Sequence, residues 1–206
     1  VLLNMDADYA FYRNDRNNSQ PNRFLEAGTG NLISQNDFFT NSPTDIDIYT
    51  FRVDHERPLG KGKLGLGAKL AQVGTGNLFE FFTINNNQKT LDTDLSNQFD
   101  YTEKVNAAYL SYNSSLGEKF NLSLGLRTEH TRSEGILTAM VETANQEVKR
   151  DYLDFFPSVK MGFSPNDRHD LQFSYARRIN RPSYPKLNPF RIQIDALSYA
   201  QGNPFL

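Results

Sequence analysis

The 206 residues carry 22 Lys+Arg against 24 Asp+Glu, a formal charge of −2, with 38% apolar residues and no cysteine. Near-neutrality argues against a general polyanion binder, so nucleic acid is not an expected partner, and the absence of thiols excludes disulfides and thiolate metal centres. No run of eighteen apolar residues is present to span a bilayer as a helix. The chain opens inside a strand pattern at Val1 without a signal peptide and stops in loop-like residues 202–206, so a piece cut from a longer protein is expected.

Strand one is expected over residues 3–13, with Leu3, Met5, Ala7, Tyr9 and Phe11 on one face and Asn4, Asp6, Asp8 and Ala10 on the other. A long polar connection, about 14–45, leads to strand two at 46–57, where Tyr49, Phe51 and Val53 oppose Thr50, Arg52 and Asp54. A compact turn at Pro58-Leu59-Gly60-Lys61-Gly62 precedes strand three, which alternates Leu64, Leu66, Ala68 and Leu70 with Gly65, Gly67 and Lys69. A second long connection covers about 73–97 and contains Asn85-Asn86-Asn87. Strand four, about 99–114, has two competing apolar faces, Val105/Ala107/Tyr109 and Ala108/Leu110/Tyr112. After a short turn at 115–119, strand five sets Phe120, Leu122, Leu124 and Leu126 against Asn121, Ser123, Gly125, Arg127 and Glu129.

A third long connection, about 133–150, holds a weak helical pattern at 139–149. Strand six places Phe155, Pro157, Val159, Met161 and Phe163 opposite Ser158, Lys160 and Gly162. A polar turn at 164–170 leads to strand seven, in which Leu171, Phe173 and Tyr175 alternate with Gln172, Ser174 and Ala176. Arg177, Arg178 and Arg181, then Pro182, Pro185 and Pro189, end the ladder. An eighth strand at 191–199 is weaker. The pentapeptide Gly-Thr-Gly-Asn-Leu occurs at 28–32 and again at 74–78, and both copies read as turns.

Alternating strands with one apolar face fit a soluble sandwich or closed barrel, or an outer-membrane barrel with the apolar face outward. Charges on the opposite face (Asp6, Asp8, Arg52, Lys69, Arg127, Lys160) suit a wet lumen. Strands of about ten residues match a tilted bilayer crossing. Connections alternate strictly between long and short, as in barrels with short periplasmic turns and long extracellular loops. The expected fold is therefore all-β: an antiparallel up-and-down transmembrane β-barrel segment of seven or eight strands, with residues 1–206 forming one partial domain in the outer membrane. Connections of this length point to part of a larger barrel.

The string from Tyr175 to Phe190, YARRINRPSYPKLNPF, followed by Gly202-Asn203-Pro204, resembles the barrel of TonB-dependent-receptor-like outer-membrane proteins. Gly125-Leu126-Arg127-Thr128-Glu129, Phe155-Phe156-Pro157-Ser158 and Phe99-Asp100-Tyr101-Thr102-Glu103 with Ala107-Ala108-Tyr109-Leu110 carry the same resemblance in the same order. It implies a parent barrel of about twenty-two strands around an N-terminal plug. It further implies energised uptake of a nutrient (siderophore, glycan or peptide) through a TonB-type partner that meets a part absent here. A small passive channel or adhesin, and a soluble β-sandwich binding module, are the alternatives.

No catalytic pattern, metal site or cofactor motif is expected, and the protein does not read as an enzyme. His55, His130 and His169 lie in separate hairpins. Asp6/Asp8 reads as a wet strand face, and Asp45/Asp47 and Asp92/Asp94 as solvated loop carboxylates rather than calcium ligands. Arg13, Arg132 and Arg177 close strands on the apolar-face parity, where guanidinium groups would meet lipopolysaccharide phosphates. Arg178, Arg181 and Tyr184 are candidate ligand contacts, set against a purely structural role in fixing a proline-rich loop over the lumen.

Overall fold

The computed structural model describes residues 1–141, 146–194 and 197–203. Seven strands form one antiparallel sheet in sequence order: β1 (Leu2–Leu25), β2 (Leu32–Leu59), β3 (Gly62–Asn85), β4 (Gln88–Leu116), β5 (Phe120–Ala139), β6 (Gln146–Asn166) and β7 (His169–Ala176). The sheet curls into a half-barrel, an up-and-down wall. No second sheet covers its apolar face among the described residues.

The register explains how one sequence builds two unlike surfaces. Met5, Val53, Ala68, Ala108, Thr128 and Phe155 are successive cross-strand partners, and they form one row across the outer face. One residue along each strand, the row reads Asp6, Arg52, Lys69, Ala107, Glu129 and Asp154. Side chains alternate with a period of two, so a slip of one residue would push these charges into lipid. The rivalry in strand four is settled the same way. Ala108, Leu110 and Tyr112 share the outer face with Leu126 and Leu124, while Tyr109 lies inward over Gly67 and donates its hydroxyl to Asp54 at 2.5 Å. Gly67 has to lack a side chain, because a Cβ there would sit 2.3 Å from the Tyr109 ring.

The strands are much longer than the alternating segments. The three long connections do extend beyond the apolar band, but most of their residues belong to the ladder, and β1 to β6 run 20–29 residues each. Past the membrane both faces are wet, so Asn, Ser and Thr can pair without any apolar alternation to mark them. Asn86 and Asn87 both take positive φ, the geometry of a two-residue hairpin turn matched to strand twist. The first Gly-Thr-Gly copy is a turn, with Gly28 and Gly30 at positive φ. The second is not: Gly74–Leu78 lies in the middle of β3. The helix expected at 139–149 is also replaced, by the end of β5 and the start of β6, with 142–145 outside the described residues.

The remaining chain leaves the sheet. After β7, residues 177–194 and 197–203 run back over the inner face as a strap, containing one helical turn α1 (Tyr184–Leu187) and a small two-stranded sheet of β8 (Arg191–Gln193) and β9 (Tyr199–Gln201). The expected eighth strand is thus this small sheet, separate from the wall. Its route can be followed by contacts. Arg181 meets Glu129 of β5, Tyr184 stacks on Phe99 of β4, Phe190 packs on Phe79 of β3, and Gln20 of β1 donates to the Ile194 carbonyl.

Candidate functional site: the strapped inner wall

The root of the strap is an electrostatic clamp. Glu129 and Asp154 are direct cross-strand partners on the inner face, and two carboxylates so placed repel unless cations intervene. Three arginines supply them. Arg127 reaches Glu129 at 2.6 Å, Arg181 reaches the other oxygen of Glu129 at 2.7 Å, and Arg177 reaches Asp154 at 2.8 Å. Arg181 also donates to Thr131 Oγ1 and the Tyr152 hydroxyl. Burial works against its charge, but Tyr152 and Glu129 more than offset this and raise its pKa. Arg52, Asp54 and Tyr109 carry the polar network on toward β2, with Arg127 over the Tyr109 ring.

Beyond the clamp lies an aromatic cluster that forms the main core of the molecule. Phe38, Phe79, Phe81, Phe99 and Phe190 are buried together, with Leu95, Tyr101, Leu137 and Tyr184 around them. Four of the five come from the inner parity of the strands, where a water-filled lumen would leave them wet. Phe190 of the strap covers them and is 2% exposed. Gly202 closes the strap on itself. Its N–H donates to the Asn188 carbonyl at 2.9 Å, the Asn203 N–H donates to that of Lys186 at 2.7 Å, and a Cβ at Gly202 would stand 2.3 Å from the Asn188 oxygen.

The Tyr184 hydroxyl is buried without a hydrogen-bond partner. Burial, and then the Asp100 carboxylate, raise its pKa, so it stays protonated. An unsatisfied buried hydroxyl is a cost that Phe would not bear. Tyr184→Phe is expected to leave thermal stability unchanged or to raise it by up to about 1 kcal/mol, read as the melting midpoint in detergent.

Between the strap and β1–β3 lies a cavity of about 310 Å³. Its floor consists of three cross-strand pairs, Asn14/Thr44, Arg16/Ser42 and Asn18/Thr40. Asn77 is held beside them, donating to Thr44 at 2.7 Å and accepting from Ser42 at 3.3 Å. Phe79, Tyr184 and Phe190 form an apolar wall.

The sequence-derived candidates distribute unevenly. Arg181 and Tyr184 come together on the inner face, Arg181 in the clamp and Tyr184 in the aromatic cluster and the cavity wall. Arg178 is exposed outside both. Arg177 departs from the lipid-facing parity expected of it. Beyond the end of β7 its side chain turns to the inner face, bonding Asp154 and lying 5.6 Å over Phe156. Arg13 and Arg132 do stand on the outer parity above the apolar band, each paired with a carboxylate, Asp45 at 2.8 Å and Asp151 at 2.7 Å. His130 shares Asp151, and no cluster of metal-ligating side chains occurs among the described residues. Asp47 accepts from Tyr9, while Asp92 accepts from the Asp94 and Leu95 N–H groups, so these carboxylates serve local structure.

Sequence reasoning missed Glu129, Asp154, Asn77 and Phe190 as site residues. A usable signal existed for the cluster: Phe99 and Tyr101 fall on the same parity as Tyr109, so settling strand four would have placed aromatic rings on the polar side and demanded a cover.

An outward apolar band, a charged inner wall and an up-and-down sheet define a membrane β-barrel wall. A model of the outer membrane protein beta-barrel family matches residues 2–206, and the chain belongs to that family; its place is the outer membrane. No curated protein matches the chain.

Proposed function

We propose that the protein is a receptor-transporter that takes up a nutrient ligand of the siderophore, glycan or peptide class across the outer membrane, without catalysing a reaction. Energy would come from a TonB-type partner, a reading that rests on the sequence resemblance. The strap is the observation that carries the receptor part. It crosses the inner face from β6 to β1, buries an aromatic cluster and encloses a cavity. A passive pore works best with an unobstructed lumen, whereas a receptor needs a built surface inside it.

The test is conductance of the protein, purified from outer membranes, in planar bilayers. A receptor-transporter is expected to be closed until an energising partner is supplied, with nutrient uptake abolished in cells lacking that partner. Steady open conductance and partner-independent uptake would instead establish a passive channel.

Lipopolysaccharide is the proposed outer partner. Arg13 and Arg132 stand above the apolar band, and exposed ion pairs such as theirs are weak, so a phosphate can compete for either guanidinium. Replacing both with Gln is expected to lower the lipopolysaccharide retained on purification. Unchanged retention would remove the rim assignment.

A further inference from the structure

The cavity between the strap and β1–β3 has a chemistry that narrows the ligand. We infer that it binds a neutral, polyhydroxylated ligand, the end of an oligosaccharide. The inference rests on the receptor reading only in taking the lumen as open to ligand from outside.

Among the described lining residues Arg16 is the one charged side chain, and there is no carboxylate. That is a poor match for a ferric chelate, whose net charge calls for several opposing charges, and equally poor for a basic peptide. Around that one guanidinium the floor offers amides and hydroxyls: Asn14, Asn18 and Asn77 beside Thr40, Ser42 and Thr44. An amide donates and accepts from one planar group, which matches vicinal hydroxyls that themselves donate and accept. Asn77 is fixed by Thr44 and Ser42, so it is preorganised. Asn14 and Asn18 make no side-chain hydrogen bond among the described residues, so their amides are available to a ligand.

The opposite wall is apolar, built from Phe79, Tyr184 and Phe190. A sugar ring has the same two-sided character, with C–H groups on its faces and hydroxyls around its rim. Few ligand classes need an aromatic wall together with a floor of amides and hydroxyls around a single guanidinium. The volume of about 310 Å³ lies at the small end of ligand sites, enough for the terminus of a chain rather than a folded partner.

The experiment uses the protein purified from outer membranes in detergent, applied to an array of neutral oligosaccharides alongside acidic peptides and ferric chelates. Hits are followed by calorimetry. Binding confined to neutral oligosaccharides is the expected result. Asn14→Ala/Asn18→Ala is expected to weaken it about tenfold or more, with heat-modifiable migration unchanged as evidence of a folded barrel. Binding of only chelates or peptides, or a folded double variant with native glycan affinity, overturns the inference. Glycan binding without energised uptake in cells supports the ligand class and overturns the transport reading. Energised uptake of another nutrient by a protein that ignores every glycan does the reverse.

Discussion

Lysine at Leu124 is expected to destabilise the barrel by about 2–4 kcal/mol, the cost of a cation near the bilayer midplane on a lipid-facing strand. Leu124 sits in the outer row with Tyr112 on one side and Val159 on the other, and it is 40% exposed although apolar. Water cannot be its neighbour there, because the row is apolar from Leu64 of β3 through Tyr175 of β7. The same substitution one residue earlier, at Ser123, enters the inner face opposite Lys160. It meets one like charge in a wet lumen and is expected to cost below about 1 kcal/mol. Denaturant titration of both variants folded into lipid vesicles measures the difference. Equal costs would argue against the assigned faces, and a larger cost at Ser123 would reverse them.

The contrast between those two neighbours was legible in the sequence, because strand five alternates without a fault from Phe120 to Leu126. Strand four was not legible alone. Ala107 and Ala108 are interchangeable as apolar residues, and only the pairing of Tyr109 with Gly67 decides which face turns inward. The extensions beyond the membrane escaped for a related reason. A strand wet on both sides carries no periodic signal, so residues such as Asn17, Asn18 and Ser19 looked like loop although they pair with Asn41, Thr40 and Phe39. The second Gly-Thr-Gly was misread because glycine marks both turns and strands, and position in the ladder is set by partners, not by composition.

The candidate site was legible only as ingredients. Arg177-Arg178-x-x-Arg181 and the prolines after it announce a special segment, compatible with a structural role for Arg181 over the lumen as well as with ligand contact. The sequence could not show that Glu129 and Asp154 would lie opposite one another. Those residues are 25 positions apart, and they meet only because the β5–β6 register brings them together. Arg177 illustrates the limit of parity arguments. Alternation holds while the ladder holds, and after Ala176 the chain is free to turn toward the nearest carboxylate.

Replacing Phe190 with Ala is expected to release the strap while leaving the wall intact. Truncating a buried Phe costs about 3–5 kcal/mol, and Phe190 is the most buried strap side chain among the described residues, packed on Phe79 at 5.4 Å and edge-on to Phe99 at 6.3 Å between ring centres. The arginine clamp at the strap's root is part-exposed and cannot replace that contribution, since its pairs lie 23 and 52 residues apart in sequence yet hold only the first few strap positions. Hydrogen exchange gives a direct reading. The Asn188, Gly202 and Asn203 N–H groups donate within the strap, to Tyr184, Asn188 and Lys186. Their exchange should accelerate more than about a hundredfold if some 3 kcal/mol of local stability is lost. Amides of β3 to β5 should keep their protection, because each of those strands is paired along both edges. Phe190→Leu, which refills most of the space, should restore much of the slow exchange. Unchanged exchange at the three strap amides would show that the clamp alone holds the segment. Loss of protection in β3 to β5 as well would make the aromatic cluster the core of the wall itself, and the strap an inseparable part of the barrel rather than an element laid across it.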